Sequence, residues 1–202
     1  MVESTPALPT LLLSIAHLDH AAALGILDAA PSLTTATMAR RDEFFLTERM
    51  AQVYEGDTAL HAAGFSYDSD MARELIARGA DVSARNRRHA EPLHAAVTGV
   101  PGSPSWNPVR QREVILCLIE AGANPNATAT GGVTPLHRAV RNRCSAAVEA
   151  LLLSGADPHI QNDSGSTASD LANWTTGRGG SGSAKAKSEQ RIIRALLEIQ
   201  TG

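Results

Sequence analysis

The segment T-P-L-H-R-A at residues 134–139 recurs along the chain and decides its fold. Related copies read T-A-L-H-A-A at 58–63 and E-P-L-H-A-A at 91–96, and a degenerate copy, T-A-S-D-L-A, lies at 167–172. The step from His61 to His94 equals the step from Thr134 to Thr167. A fixed period of about 33 residues is typical of a protein built from small units that stack on one another.

A second motif follows the first in phase. L-I-A-R-G-A-D at 75–81 recurs as L-I-E-A-G-A-N at 118–124 and as L-L-L-S-G-A-D at 151–157. The spacing from histidine to glycine is the same in the first and third copies, from 61 to 79 and from 137 to 155, and it is longer in the second, from 94 to 122. The second copy therefore contains an insertion between its two motifs.

Both motifs favour helices. Thr can cap a helix N-terminus, Pro fits its first turn, and Gly suits the left-handed residue after its end. Because one helix pair cannot bury its apolar face alone, neighbouring pairs are expected to stack into a continuous core. The predicted helices lie near 58–64, 72–78, 91–97, 111–120, 135–142, 145–153 and 189–200.

The two phased motifs resemble the ankyrin repeat, whose hallmark is T-P-L-H-x-A within a unit of about 33 residues. The resemblance covers roughly residues 56–200. Four further segments resemble a bacterial subgroup of ankyrin proteins that has no defined activity: G-D-T-A-L-H at 56–61, R-N-R-R at 85–88, T-P-L-H-R-A-V at 134–140 and G-R-G-G-S-G-S at 177–183. The resemblance implies an all-α solenoid of stacked antiparallel helix pairs with finger hairpins between pairs, and insertions in this sequence predict enlarged loops within the pairs. It also implies that His61, His94 and His137 make structural hydrogen bonds.

The whole chain, 1–202, is predicted to form one ankyrin-repeat domain. Its predicted units are an N-terminal capping repeat with an inserted segment at 7–55, repeats at 56–89, 90–132 and 133–165, and a C-terminal capping repeat with a Gly-rich insertion at 166–202. The first unit is expected to hold helices at 8–18 and 19–29, and the apolar spacing in 42–54 indicates an extra short helix. Loops at 64–71, 98–110 and 173–188 are expected on one edge of the array.

Composition narrows the range of functions. The 202 residues are 43% hydrophobic and 19% charged, and the net charge is −3, so the chain can bury a core and has no overall attraction to nucleic acid or membranes. Cys117 and Cys144 fit neither a zinc spacing nor a disulfide framework. No apolar run is long enough to span a bilayer, and no basic residue precedes Arg40, so a signal peptide is not expected. We therefore expect a cytoplasmic protein.

No catalytic motif is evident. The chain lacks G-x-S-x-G and H-E-x-x-H, and Cys144, although near His137 in sequence, has no third group to orient the pair. The sequence predicts no enzyme, no cofactor and no metal site.

Two surfaces are candidates for a protein partner. The first is basic: Arg85, Arg87 and Arg88 lie at the tip of one finger, while Arg138 and Arg141 share a helix face. The resemblance implies binding through fingers and first helices, and an acidic partner would suit these arginines. A solvated charged face is the alternative.

The second surface consists of aromatic residues in or beside the predicted loops and outside the expected helix core of the repeats, namely Phe65, Tyr67, Trp106 and Trp174. Either Trp106 and Trp174 fold back against neighbouring helices, or the loop aromatics are exposed and anchor a partner, as Trp and Tyr often do.

The Gly-rich segment allows a different kind of ligand. Arg178, Gly179, Gly180 and Lys185 could hold a small anion or a nucleotide. The segment lacks G-x-x-x-x-G-K-[ST] and follows a helix, so a flexible loop is the alternative.

Overall fold

A computed structural model describes residues 7–173 and 183–201. Its α-helices follow one another in pairs, and these pairs form two layers. The bounds are α1 Leu8–Ala16, α2 His20–Ala29, α3 Ala59–Ser66, α4 Ser69–Ala77, α5 Pro92–Ala96, α6 Pro108–Glu120, α7 Pro135–Arg141, α8 Ser145–Leu153, α9 Ala168–Asn173 and α10 Ala184–Thr201. In the inner layer α1, α3, α5, α7 and α9 contact one another in that order, and α4, α6, α8 and α10 do so in the outer layer. The predicted all-α solenoid is confirmed.

The repeated histidine explains why each inner helix begins where it does. In α7 the backbone N–H of Thr134 donates to Nδ1 of His137 over 3.2 Å, and Nε2 of His137 lies 3.0 Å from the carbonyl of Ser166 in the next repeat. His61 and His94 make the equivalent contacts in their own repeats. Each ring therefore fixes a helix start and ties two repeats together, as the resemblance implied.

The glycine of the second motif ends each outer helix. After α6 the chain passes through Gly122 at φ +99°, and the N–H of Ala123 donates back to the carbonyl of Leu118. A side chain at that φ would be strained, so glycine is the residue that allows the chain to leave α6 and enter the next finger.

The segment between α2 and α3 does not form the predicted extra helix. It forms a hairpin in which β1 (Phe44–Leu46) pairs antiparallel with β2 (Ala51–Val53). The reason is that buried and exposed side chains alternate along the segment, as they do in a strand. Leu46, Ala51 and Val53 are buried, whereas Phe45, which pairs with Gln52, points to solvent. The guanidinium of Arg49 fastens the hairpin to α1 by donating to the carbonyl of Ala16 over 2.7 Å.

The predicted loop at 64–71 is also wrong. The helix α3 continues to Ser66 and α4 begins at Ser69, so that only Tyr67 and Asp68 separate them. The carboxylate of Asp68 accepts the N–H of Met71 and starts α4 without a longer connection. At the other end of the array, α10 begins at residue 184, so the loop predicted to extend to 188 is shorter, and its residues 174–182 lie outside the described part.

Candidate functional site

A groove of about 380 Å³ lies between the hairpin and the inner helices. We call the connection between an outer helix and the next inner helix a finger, and the first finger forms part of the groove wall. The hairpin, the first finger and the inner helices all contribute side chains to the lining. These are Phe45, Met50, Gln52 and Tyr54 from the hairpin and its end, Asn86 and Arg88 from the finger, and Phe65, Arg138 and Arg141 from the inner helices. The structure thus brings together three of the five arginines that the sequence analysis proposed for partner binding.

These three arginines have no acidic partner in the described part of the chain. Arg88 and Arg141 are exposed, and Arg138 is half-buried. The carboxylate of Asp57 also faces the groove, but its two oxygens already accept the amide of Asn86 over 2.8 Å and the N–H of Tyr54 over 2.7 Å. Asp57 compensates part of the positive charge electrostatically, and three arginines against this one carboxylate leave the groove with an excess of positive charge among the described residues.

Arg138 lies deepest of the three. Its Nη1 donates to the carbonyl of His94 in the preceding repeat over 3.0 Å, which fixes the guanidinium against α5. Burial lowers the pKa of Arg138 to about 10, and the positive charges of Arg141 and Arg88 also lower it. The side chain remains charged at neutral pH, and an anion in the groove would relieve the mutual repulsion.

The short length of α5 explains this position. Because α5 ends after five residues, its last carbonyls lack partners within the helix. Side chains from the same and neighbouring repeats donate to carbonyls in α5 and in the two residues after it: Arg138 to His94, Gln111 to Ala96, Asn142 to Val97 and Tyr67 to Thr98. Of the residues in these contacts, Thr98, Arg138 and Asn142 also line the groove.

The other two nominated arginines face elsewhere. Arg85 bonds to the carboxylate of Glu91, with Nη2 3.1 Å from Oε1. Arg87 forms a forked ion pair with Glu43 at the base of the hairpin and stacks over the ring of Tyr54, 4.8 Å from its centroid. The pKa of Glu43 is lowered, mainly by its hydrogen bond with Arg87. Arg87 therefore joins the finger to the hairpin and helps to build the groove wall.

The hairpin gives this wall an apolar surface. Phe45 is 52% exposed and Met50 is 56% exposed, and both line the groove. The guanidinium of Arg88 lies 5.7 Å from the centroid of the Tyr54 ring beside them. Sequence reasoning missed Phe45, Met50 and Tyr54 as site residues, because it assigned their segment to a helix.

The predicted loop aromatics mostly pack inward. Phe65 and Tyr67 are 6% and 5% exposed, so the expectation that they lie outside the repeat core is wrong. Trp106 is half-buried, and its Nε1 donates to Gln111 over 3.1 Å. Trp174 lies outside the described residues.

The nominated anion site in the Gly-rich segment is only partly described. Arg178, Gly179 and Gly180 lie outside the described residues. Lys185, in α10, bonds to Glu189 over 2.8 Å and lies 5.6 Å above the ring of Trp106. Its ammonium group thus has two structural partners.

Metal binding and membrane insertion are two further possibilities. Within 7–173 and 183–201, no group of three His, Cys, Asp or Glu side chains is placed to hold a metal ion. In the same ranges, every helix is too short or too polar to cross a bilayer.

Comparison with known proteins agrees with this architecture. A family model described as "Ankyrin repeat" matches residues 55–87, and one described as "Ankyrin repeats (many copies)" matches 118–172. The chain therefore belongs to the ankyrin-repeat family, a class of repeat modules that generally mediate protein–protein interaction.

Several curated proteins share part of the array. The chain is 36% identical over 117 residues to Ankyrin repeat and SOCS box protein 16 of Mus musculus, covering 57% of this chain and 25% of the mouse protein. It is 32% identical over 123 residues to Tyrosine-protein kinase Shark of Drosophila melanogaster, covering 60% of this chain and 12% of the fly protein. A putative ankyrin repeat-containing protein of Treponema pallidum is 30% identical over 119 residues, which cover 58% of this chain and 36% of that protein. The chain thus spans only a minor part of the relatives it matches.

Proposed function

We propose that this chain is a non-catalytic scaffold that binds a protein partner in the groove between the hairpin and the inner helices. The observation that carries the proposal is the convergence of Arg88, Arg138 and Arg141 in one groove without a carboxylate partner among the described residues. Surface arginines in a folded protein commonly pair with acidic neighbours, as Arg85 and Arg87 do here. Unpaired arginines beside exposed apolar side chains are typical of an interface core.

Electrostatics favours an acidic partner. The chain as a whole has a net charge of −3, so the positive groove stands out against a mildly negative surface. Such local complementarity steers the encounter and fixes the orientation of a partner, and salt weakens it. Cytoplasmic location and bacterial origin remain predictions.

The loop aromatics are the competing surface. Their support is weaker, because Tyr67 is buried and donates to a carbonyl, while Trp106 contacts Gln111 and Lys185. Binding of a small anion or nucleotide at the Gly-rich segment remains the alternative function, and the structural partners of Lys185 do not favour it.

Affinity capture from a lysate of the source organism tests the proposal. The bait would be the intact chain, a variant with both Arg88→Glu and Arg141→Glu, and the control Arg191→Glu, which reverses an exposed arginine on α10 outside the groove. We expect at least one protein to be retained by the intact chain and by the control and lost by the double variant. Equal retention by all three baits would contradict binding in the groove.

A further inference from the structure

We infer that the groove takes a short extended peptide segment in which an acidic side chain lies next to a bulky apolar one. The inference rests on the proposed function and deepens it by naming the chemistry of the partner. Three features of the groove carry it: an apolar wall, a basic wall, and a size that excludes a broad surface.

The pairing of the two strands produces the apolar wall. Phe45 pairs with Gln52 in the register of β1 and β2, while Leu46 and Ala51, which form the next pair, are buried. The alternation of a strand therefore holds Phe45 outward, and Met50 at the turn is exposed beside it. Large exposed apolar side chains on a fixed hairpin favour contact with an apolar group of a partner.

The basic wall lies on the inner helices and the finger. Arg138 and Arg141 are three residues apart on α7, so their side chains share one face. Nη1 of Arg138 is engaged by the carbonyl of His94, and the remaining N–H groups of its fork are free of partners among the described residues. A guanidinium with free N–H groups suits the paired acceptor oxygens of a carboxylate.

The size and fixation of the groove limit what can enter. A volume of about 380 Å³ is at the lower end of the range of ligand pockets, about 300–1,000 Å³, so it accepts a few side chains at most. The hairpin is held at both ends, by Arg49 on Ala16 and by Glu43 with Arg87. Because this wall rises beside the inner helices, a broad folded surface cannot lie flat against them, whereas an extended segment can pass between the two walls.

Selection from a displayed library of random peptides, each about a dozen residues long, tests the inference on the intact chain. We expect enrichment of sequences that place Asp or Glu within two positions of Leu, Met or Phe. The most enriched peptide is then synthesised and its affinity measured for the chain and for Arg141→Gln, Phe45→Thr and the control Arg191→Gln. Thr keeps the strand preference of position 45 while removing the ring. Thermal melting checks that each variant is folded.

The expected result is that Arg141→Gln and Phe45→Thr each weaken binding about tenfold or more, while Arg191→Gln has no effect. Replacing the acidic residue of the peptide by its amide should cost affinity on the intact chain and much less on Arg141→Gln, as a double-mutant cycle detects.

The other outcomes separate the two claims. Peptides that depend on Arg141 but lack the acidic and apolar pairing would overturn the inference and leave the proposed function standing. A library that yields no binder would overturn the inference in the same way. Peptides that bind all variants equally would contradict both.

Discussion

Nη1 of Arg138 donates to the carbonyl of His94, 44 positions earlier in the chain, over 3.0 Å. The contact joins the third repeat to the second within the last turn of α5. It gives one arginine two roles, because the same side chain donates to a helix carbonyl, to which the hydroxyl of Thr98 also donates, and brings a positive charge into the groove.

This double role predicts a stability difference between two neighbouring arginines. Arg138→Gln removes the charged donor to the carbonyl of His94, leaving the hydroxyl of Thr98, and should lower the free energy of unfolding by about 1 kcal/mol. Arg141→Gln changes an exposed side chain and should stay within about 0.5 kcal/mol of the parent. Urea denaturation measures both, and equal losses would mean that the Arg138 contact contributes nothing.

The inner helices supply the apolar core. Leu93 and Leu136 are completely buried. Leu93→Ala and Leu136→Ala should therefore each lower the free energy of unfolding by about 2–5 kcal/mol, because each leaves a cavity in a packed layer. Val109→Ala is the matched control, since Val109 is 65% exposed and its truncation should cost less than about 0.5 kcal/mol. Urea midpoints that do not separate the leucine variants from this control would contradict the packing described here.

The buried histidines predict a loss of stability in mild acid. Burial lowers the pKa of His94 from 6.5 to about 3, and burial also lowers those of His61 and His137. Below about pH 6.5 the unfolded chain binds protons at these rings and the folded chain does not, so falling pH favours unfolding. At about pH 5, His94 alone should lower the free energy of unfolding by about 2 kcal/mol.

Urea melts between about pH 7 and pH 5 measure this effect. The free energy of unfolding should fall steadily over that interval, and His94→Gln should show a shallower decline than the parent. A flat profile in the parent would mean that the rings are protonated in the folded state.

The ion pair between Glu43 and Arg87 predicts how firmly the hairpin is held. Arg87→Gln removes both the ion pair and the contact with Tyr54. Amide hydrogen exchange over residues 44–53 should then become faster, with little change in the inner helices. Arg73→Gln, which breaks an exposed pair with Asp70 on α4, is the control and should leave exchange in the hairpin unaltered. Unchanged exchange in Arg87→Gln would show that Arg49 alone holds the wall.

Much of the fold follows from local rules. Thr134 and Pro135 begin a helix, Gly122 ends one, and the regular period of the two motifs places the three pairs from α3 to α8, so the sequence predicts the centre of the stack directly. The hairpin was not predictable in this way. Phe44, Phe45, Val53 and Tyr54 satisfy helix and strand spacing about equally well, and the choice between them depends on which side chains α1 and α3 cover.

The groove depends on contacts that no local pattern contains. The motifs R-N-R-R and T-P-L-H-R make the arginines visible in the sequence. They do not show which arginines line the groove and which form ion pairs elsewhere. Arg87 is separated from Glu43 by 44 positions, and the early end of α5 determines where Arg138 points. Contacts between residues so far apart in the sequence follow from packing rather than from local spacing. They determine which charged side chains remain free to bind a partner.

The affinity of a captured partner for three forms of the chain tests the central claim most directly. These are the parent, Arg141→Glu and Trp106→Ala, each measured at low and at high salt. We predict that Arg141→Glu weakens binding about tenfold or more and reduces its salt dependence, whereas Trp106→Ala has little effect. A dominant loss in Trp106→Ala, with little influence of salt, would place the partner on the loop aromatics and contradict binding in the groove.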